Sequence, residues 1–384
     1  MDTINGILSK IDAFDIFVRY FYSGYVELHE NKKQRNMKKS ENEDLSYRMR
    51  KCPHLFILGA GATKATIPNG DKNGYKSPVM DGFLEEMGLN YLLDTVKLKT
   101  KSHNIETIYS ELVENPQYKD IVDKIENEII TYYQKIQITD KPTLYDYLIL
   151  SLRKKDCIAT FNWDPLLIQA YNRVNKITID LPNMLFLHSC VEVGICEECN
   201  QAFPLRNKFC PKCRKPLKMP KLLFPVAHKD YAQNVFIKNS WSAFDNYIKK
   251  ACIVSIWGYS APFSDKEARK RILKAFSSSS RSLDNIEIID IASKKQLYKK
   301  WEPFIKKTNG NFKVYTSIFD SLIGEFPRRS VDGYTKRYID NWWNESSLKL
   351  KKCNSFEELS TLIKPALDNE KNNNYDVITI PELL

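Results

Sequence analysis

The chain has 384 residues, of which 43% are hydrophobic, and its 58 basic and 47 acidic side chains give a net charge of +11. This length allows two medium domains or one large domain with insertions. No run approaches the roughly 18 apolar residues that span a membrane, and the N-terminus lacks a basic leader with a cleavage site. We therefore expect a soluble protein with no membrane segment and a cytoplasmic location. The positive charge suits nucleic-acid, nucleotide or acidic-protein partners, but general solubility explains it equally well.

Residues 1–51 form an N-terminal extension. An apolar segment with helical spacing leads there into a charged stretch that is low in apolar residues. We expect a helix followed by a solvated connector, with a contact between subunits as the alternative.

The apolar run Leu55–Leu58 then breaks into Gly59, Ala60 and Gly61. The pattern predicts a buried strand, a tight turn and the start of a helix. Small residues at such a turn let backbone N–H groups and the helix N-terminus approach a phosphate. Because Lys64 stands where the third glycine of the dinucleotide fingerprint belongs, an ordinary strand-to-helix turn is the alternative.

Helical spacing returns in "PVMDGFLEEMGLNYLLDTV" and again from 104 to 150, which predicts a helical insertion at about 80–150. A second strand, "CIATFNWD", then leads into a helix with Pro165 in its first turn. Asn162 and Asp164 follow this strand, at the sheet edge where α/β proteins bind ligands. A turn that caps the next helix explains these two residues equally well.

A third strand, "MLFLHSC", brings His188 to the same edge. Histidine titrates where a general base is useful, although a structural histidine is the alternative. The other histidines lack such a setting; they are His29, His54, His103 and His228.

A cysteine-rich module follows at about 190–220. It contains two CxxC pairs separated by ten residues, formed by Cys196, Cys199, Cys210 and Cys213. Two such knuckles place four thiolates around one Zn²⁺, and four sulfur ligands leave no open coordination position. The module therefore predicts structural zinc, with a redox pair as the minor alternative.

Three more strands, "ACIVSIWGYS", "NIEIIDIAS" and "FKVYTSIFD", alternate with helices up to about residue 330. This alternation predicts an α/β fold over 52–330, with a Rossmann-like doubly wound parallel sheet, and a helical tail at 331–384 that ends in a loose polar stretch. Gly258 and Ser260 follow the first of these strands, and Asp290 ends the second. They are candidates for contacts with phosphate or ribose, although a simple turn also explains the Gly-Ser pair.

Other patterns are weak or missing. The basic helical stretches "KKQLYKK" and "EARKRILKAF" suit nucleic acid no better than they suit solvated helix faces. The sequence has no P-loop lysine motif, no HxE deaminase signature and no nucleophile elbow.

The order of the motifs resembles the sirtuin family over roughly 52–325. In that family a Rossmann-like domain binds NAD, a small zinc module follows the catalytic histidine, and the nicotinamide–ribose bond is broken. The resemblance implies that His188 is the catalytic base, that Asn162 and Asp164 lie near the nicotinamide ribose, and that the four cysteines bind structural Zn²⁺. It implies NAD contacts at Gly59, Ala60, Gly61, Thr63, Pro68, Gly258, Ser260 and Asp290.

The chain departs from the family's protein deacetylases at several points. Where the deacetylases have Gly-Ile-Pro-Asp-Phe-Arg, this chain has "TIPNGDKNGYKSP", and where they have a glutamine and a glycine, it has Phe161 and Ser189. In place of the Phe-Gly-Glu segment that helps form their acetyl-lysine groove, it has "LLFPVAHKDY". These departures are similar to divergent bacterial sirtuin-like proteins that hydrolyse NAD in antiphage defence, triggered by a partner ATPase or by oligomerisation.

The resemblance therefore implies an NAD glycohydrolase that forms a homo-oligomer, with a partner ATPase or other defence subunit as a further possibility. Water is the expected acceptor, positioned by Asn162 and activated by His188. The alternatives are a protein deacylase or ADP-ribosyltransferase, a non-catalytic NAD or ADP-ribose sensor, and a nucleic-acid-associated subunit.

Overall fold

The computed structural model describes residues 49–224, 235–261, 265–277, 285–306, 312–341 and 345–378. Most of the predicted N-terminal extension and part of the "LLFPVAHKDY" segment lie outside these ranges. Within them the chain forms eight strands: β1 (His54–Leu58), β2 (Cys157–Thr160), β3 (Asn183–Phe186), β4 (Val193–Cys196), β5 (Gln201–Pro204), β6 (Ile253–Trp257), β7 (Asn285–Ile289) and β8 (Phe312–Tyr315).

Helices connect the strands over the same ranges. In chain order they are α1 (Ala60–Thr66), α2 (Phe83–Glu86), α3 (Ile105–Val113), α4 (Lys119–Lys135), α5 (Leu144–Leu150), α6 (Leu166–Val174), α7 (Val235–Lys250), α8 (Lys266–Ser277), α9 (Lys294–Ile305), α10 (Leu322–Glu325), α11 (Ser330–Tyr338) and α12 (Phe356–Lys371). None of the described helices combines the length and the apolar character that crossing a membrane would require.

Six strands form one parallel sheet in the order β3-β2-β1-β6-β7-β8. Every residue of β1, β6 and β7 is buried, as expected for parallel strands covered on both faces. The predicted doubly wound parallel sheet is confirmed. The strand order reverses between β1 and β6, so the crevice for a ligand lies at the carboxyl ends of these two strands.

The helical insertion between β1 and β2 contains α2 to α5. The helical spacing across "PVMDGFLEEMGLNYLLDTV" does not give one continuous helix. It yields the short α2 and a 3₁₀ turn at Asn90–Leu93. Gly82 and Gly88 have φ of +69° and +71°, which breaks helical continuity on both sides of α2.

The C-terminal segment packs against the body of the chain. The Arg328 side chain is fully buried, and it donates to Glu370 on α12 and to the carbonyl oxygens of Leu150 and Leu152. Arg329 also pairs with Glu370 at 2.5 Å and donates to Asn374 O at 3.1 Å. Buried guanidinium groups need such partners. The described part of the polar stretch is thus joined to the body of the chain through Glu370 and the backbone of Asn374.

Candidate active site

One cavity of about 690 Å³ opens at the carboxyl ends of the parallel strands, where the strand order reverses. It brings together most of the residues that the sequence singles out. Those that line it are Gly59, Ala60, Gly61, Pro68, Asn162, Asp164, His188, Gly258, Ser260 and Asp290.

The glycine turn forms the floor of this cavity by close backbone packing. Gly61 N donates to Gly258 O at 2.9 Å, and Gly59 N donates to Trp257 O at 3.1 Å. Gly258 has φ of +61°, and a Cβ there would lie 2.1 Å from Ala62 N. These glycines let two strand ends touch, and the N–H groups of Gly59 and Gly61 are already engaged. The alternative of a packing turn therefore describes part of their role.

Asn162 is fixed by its amide nitrogen. Its Nδ2 donates to Gly59 O at 3.0 Å, to Thr63 Oγ1 at 2.8 Å and, more weakly, to the Tyr145 hydroxyl at 3.3 Å. The side chain is half-buried and lines the cavity. An amide whose nitrogen is committed in this way keeps its carbonyl oxygen as the acceptor.

Thr63 connects Asn162 to Asp164 from behind the cavity wall. Its hydroxyl donates to Asp164 Oδ2 at 2.8 Å, and its oxygen lies 2.7 Å from the hydroxyl of Tyr145. Thr63 is fully buried and is not among the lining residues. Its position suits an orienting role behind the site, whereas the sequence resemblance predicts a cofactor contact.

Asp164 is a buried carboxylate that faces the cavity with 4% of its surface exposed. Burial raises its pKa to about 6, against the lowering effect of the hydrogen bonds from Thr63 and Leu166. Asp164 Oδ1 accepts from Leu166 N at 3.0 Å, so the residue also caps the start of α6. Asp164 therefore both binds the first N–H group of the helix and lines the cavity.

His188 lies two residues beyond β3 and is 5% exposed. The Phe161 ring meets its imidazole edge-on, with 4.8 Å between centroids. Ser189, which stands where the resemblance expects glycine, has φ of +73°. The backbone after the histidine therefore adopts a conformation that favours glycine.

Several cavity residues escape the sequence reasoning. Asp265 lies beside His188 and accepts a hydrogen bond from Tyr259. Trp163, Tyr133 and Lys64 also line the cavity. Asp265 ends the segment "SAPFSD" after β6, and nothing in that segment marks it as part of the site. Nothing in the sequence distinguishes the aromatic residues that line the cavity from aromatic residues of the hydrophobic core.

The four cysteines of the module come together, as the sequence predicts. Their sulfur atoms all lie within 4.8 Å of one another, with Cys196 and Cys213 at 3.3 Å and Cys199 and Cys210 at 3.8 Å. A tetrahedron with Zn–S bonds of about 2.3 Å has edges of about 3.8 Å. The first knuckle is built on the antiparallel β4–β5 hairpin, and Cys199 N donates to Cys196 Sγ at 3.4 Å. The donor set fits one Zn²⁺.

His54 belongs to a separate buried network at the amino end of the sheet. Its ring nitrogens lie 2.9 Å from Ser330 Oγ and 2.7 Å from Ser255 Oγ, which in turn donates to Glu287 at 2.7 Å. Complete burial lowers the pKa of His54 to about 3, and burial raises the pKa of Glu287 to about 7. The network ties α11 to β1, β6 and β7.

No protein-family model matches the chain, and no curated protein matches it in sequence. Among solved structures, a mutant Sir2 homologue in complex with 2′-O-acetyl ADP-ribose is 16% identical, with a TM-score of 0.39 over 81% of this chain and 100% of that chain. A Sir2 homolog–NAD complex is 15% identical, with a TM-score of 0.37 over 79% of this chain and 96% of that chain. A mutant Sir2 homologue in complex with ADP-ribose is 15% identical, with a TM-score of 0.36 over 85% and 98%. At these values the likeness carries no argument about function.

Proposed function

We propose that this chain is a sirtuin-like NAD glycohydrolase, which cleaves NAD to nicotinamide and ADP-ribose. One observation carries the proposal. Asn162, Asp164 and His188 line a single cavity next to the glycine turn, at the point where the strand order reverses. An amide, a buried carboxyl group and a histidine converge there in a space large enough for a nucleotide.

The cavity offers suitable contacts along its length. The glycine turn and Lys64 both line the cavity, and the Lys64 ammonium supplies positive charge for a pyrophosphate; the N–H groups of Gly59 and Gly61 stay with Trp257 O and Gly258 O. Asp290, at the end of β7, is placed to accept hydrogen bonds from ribose hydroxyls, and Ser260 can donate to phosphate or ribose. Pro68 also lines the cavity.

The chemistry then follows from the reacting bond. The bond between C1′ of the ribose and the nicotinamide nitrogen breaks, nicotinamide leaves with the electron pair, and C1′ becomes cationic. A water molecule that the Asn162 carbonyl oxygen orients forms the new bond to C1′, and His188 takes its proton. Asp164 faces the nicotinamide half of the substrate. The products are nicotinamide, ADP-ribose and one proton.

Water is favoured over a peptide as the acceptor because His188 is only 5% exposed. A base held so deeply serves a small acceptor more easily than a peptide side chain. Phe161, which contacts the His188 ring, also stacks on Tyr259, with 4.2 Å between ring centroids and an interplanar angle of 5°. These rings leave less room for an acceptor beside the imidazole.

The four-cysteine module would hold Zn²⁺ as a structural ion, because four thiolates leave no position for a substrate or water. Its ligands belong to the segment that directly follows His188, so the bound ion would fix this part of the chain. In keeping with the sequence resemblance, we further propose that the NAD cleavage acts in bacterial antiphage defence, by a homo-oligomer that responds to a partner ATPase, another defence subunit or nucleic acid.

The test is to incubate the purified chain with NAD and to follow nicotinamide and ADP-ribose by chromatography. Parallel samples contain an acetyl-lysine peptide, DNA or phage lysate, and His188→Ala is the matched variant. Hydrolysis predicts both products from wild type without the peptide, and neither from His188→Ala. Product formation only with the peptide would replace the proposal with a deacylase. Binding of NAD without turnover under every condition would replace it with a sensor.

A further inference from the structure

A carboxylate that the proposed chemistry does not use lies next to His188. Asp265 Oδ1 is 3.9 Å from His188 Nε2, and the two side chains are 4% and 6% exposed. Both line the cavity. A carboxylate at this distance favours the protonated form of histidine, and bulk water screens a buried pair poorly.

Asp265 is held in place from two directions. The Tyr259 hydroxyl donates to Asp265 Oδ2 at 3.1 Å, and the Tyr259 ring stacks on Phe161, which also contacts His188. Asp265 also directly precedes α8, a 12-residue helix whose N-terminal dipole favours an ionised carboxylate. The carboxylate is therefore fixed relative to the imidazole.

We propose that Asp265 is a positioning residue for His188, one that keeps the imidazole in place and stabilises the imidazolium formed during NAD hydrolysis. Its role in catalysis rests on the proposed function. In the step concerned, the C1′–N bond breaks, the water oxygen bonds to C1′, nicotinamide leaves with the electron pair, and the water proton goes to the imidazole. Asp265 keeps its charge throughout, so that the new cation forms beside an anion.

Other ionisable groups line the same cavity and also contribute to the electrostatic potential at His188. They are Lys64, Asp81, Glu106, Tyr133, Asp164, Tyr259 and Asp290. The carboxylate of Asp265 comes within ion-pair distance of His188. Its removal is therefore expected to change the titration of His188, while the other groups stay in both proteins.

The first experiment is an NMR titration of the histidines in the full chain without NAD. His188→Gln assigns the signal of His188. We expect Asp265→Asn to lower the pKa of His188 by about one pH unit. The control Asp368→Asn removes the same charge from a surface position on α12 and is expected to leave the titration of His188 unchanged. An unchanged pKa of His188 in Asp265→Asn overturns the proposal. If this variant does not fold, Asp265→Ser removes the same carboxylate and carries the same expectation.

The second experiment is the pH profile of kcat/KM for NAD cleavage. Asp265→Asn is expected to lower kcat by about tenfold to a hundredfold and to move the acidic limb about one pH unit lower. A substitution that only loosened the fold would lower the rate and leave the limb in place, and that result contradicts a positioning role. If wild type cleaves no NAD, the proposed function fails, whereas the titration still decides whether Asp265 acts on His188.

Discussion

Asn162 and Gly59 are joined across the carboxyl ends of β1 and β2, because Asn162 Nδ2 donates to Gly59 O at 3.0 Å. This bond connects the glycine turn to the polar residues that follow the second strand. It leaves the carbonyl oxygen of Asn162 as the acceptor that can orient a water molecule. The position of Asn162 in the proposed reaction centre therefore depends on the glycine turn.

The first prediction concerns that bond. Asn162→Ala removes the donor shared by Gly59 O and Thr63 Oγ1, and it also removes the acceptor for water. We expect the free energy of unfolding to fall by about 1–2 kcal/mol and NAD cleavage to fall by about a hundredfold or more. Urea denaturation and a nicotinamide assay measure the two effects. Asn354→Ala, at an exposed position, is the control, and near-normal cleavage by Asn162→Ala would contradict the assignment.

The second prediction separates stability from activity at Asp164. Its pKa is raised to about 6 in the folded chain, so between about pH 4 and 6 the folded state binds more protons than the unfolded state. Stability therefore falls as pH rises through this window. Asp164→Asn removes the buried charge, and we expect it to be up to about 3 kcal/mol more stable at pH 7.5 but not at pH 4, with NAD cleavage lost.

Thermal unfolding of wild type and Asp164→Asn at the two pH values measures this difference. A variant that is less stable than wild type at both pH values would show that the two hydrogen bonds to Asp164 outweigh the cost of its buried charge.

The third prediction concerns the four-cysteine cluster. We expect about one zinc per chain by elemental analysis, and we expect Cys213→Ser to lose the metal and unfold at lower temperature, because zinc binding is coupled to folding. Cys353→Ser, at a half-buried cysteine outside the cluster, should keep both zinc and stability. Wild-type zinc content and stability in Cys213→Ser would remove the zinc assignment.

The fourth prediction concerns the backbone after His188. Ser189 has φ of +73°, which serine tolerates poorly and a β-branched residue tolerates worse. Ser189→Gly is expected to fold with unchanged stability, whereas Ser189→Val should lose about 1–3 kcal/mol. Chemical denaturation of both variants gives the comparison. Equal stability of the two would mean that the left-handed backbone is not required here.

The fifth prediction concerns pH and the buried His54. Because its pKa is lowered to about 3, the unfolded chain takes up a proton between pH 6.5 and 3 that the folded chain does not. Stability from this residue is therefore lost as pH falls below 6.5. Relative to wild type, we expect His54→Gln to lose about 2 kcal/mol less on going from pH 7 to pH 5. Urea denaturation at both pH values measures it, with the exposed His103→Gln as the control; parallel curves for His54→Gln and wild type would contradict the prediction.

The sequence predicts the sheet well because its parallel strands are buried on both faces. Strands such as His54–Leu58 and Ile253–Trp257 are therefore mostly apolar, with His54 and Ser255 as their polar members, and the polar residues that follow them mark the ligand edge. Helix boundaries in the insertion are harder to predict from the spacing of apolar residues. Gly88, with φ of +71°, interrupts a spacing that otherwise favours a helix.

Long-range pairs could not be predicted from pattern at all. Asp265 reaches His188 because the sheet order places the ends of β3, β2, β1 and β6 around one cavity, and nothing local to "SAPFSD" indicates this. Likewise, Arg328 and Glu370 are 42 positions apart in the sequence. Their pairing depends on how α12 packs, which residue spacing does not encode.

The most direct test of the central claim is a mass balance on NAD labelled in its adenine ring. After incubation with the purified chain and its candidate activators, the label is measured in free ADP-ribose and in protein, and nicotinamide is quantified in the same sample. We predict nicotinamide and free ADP-ribose in equal amounts, no label on protein, and no cleavage by His188→Ala. Label transferred to protein, or NAD that raises the unfolding temperature yet stays intact under every condition, would contradict a glycohydrolase.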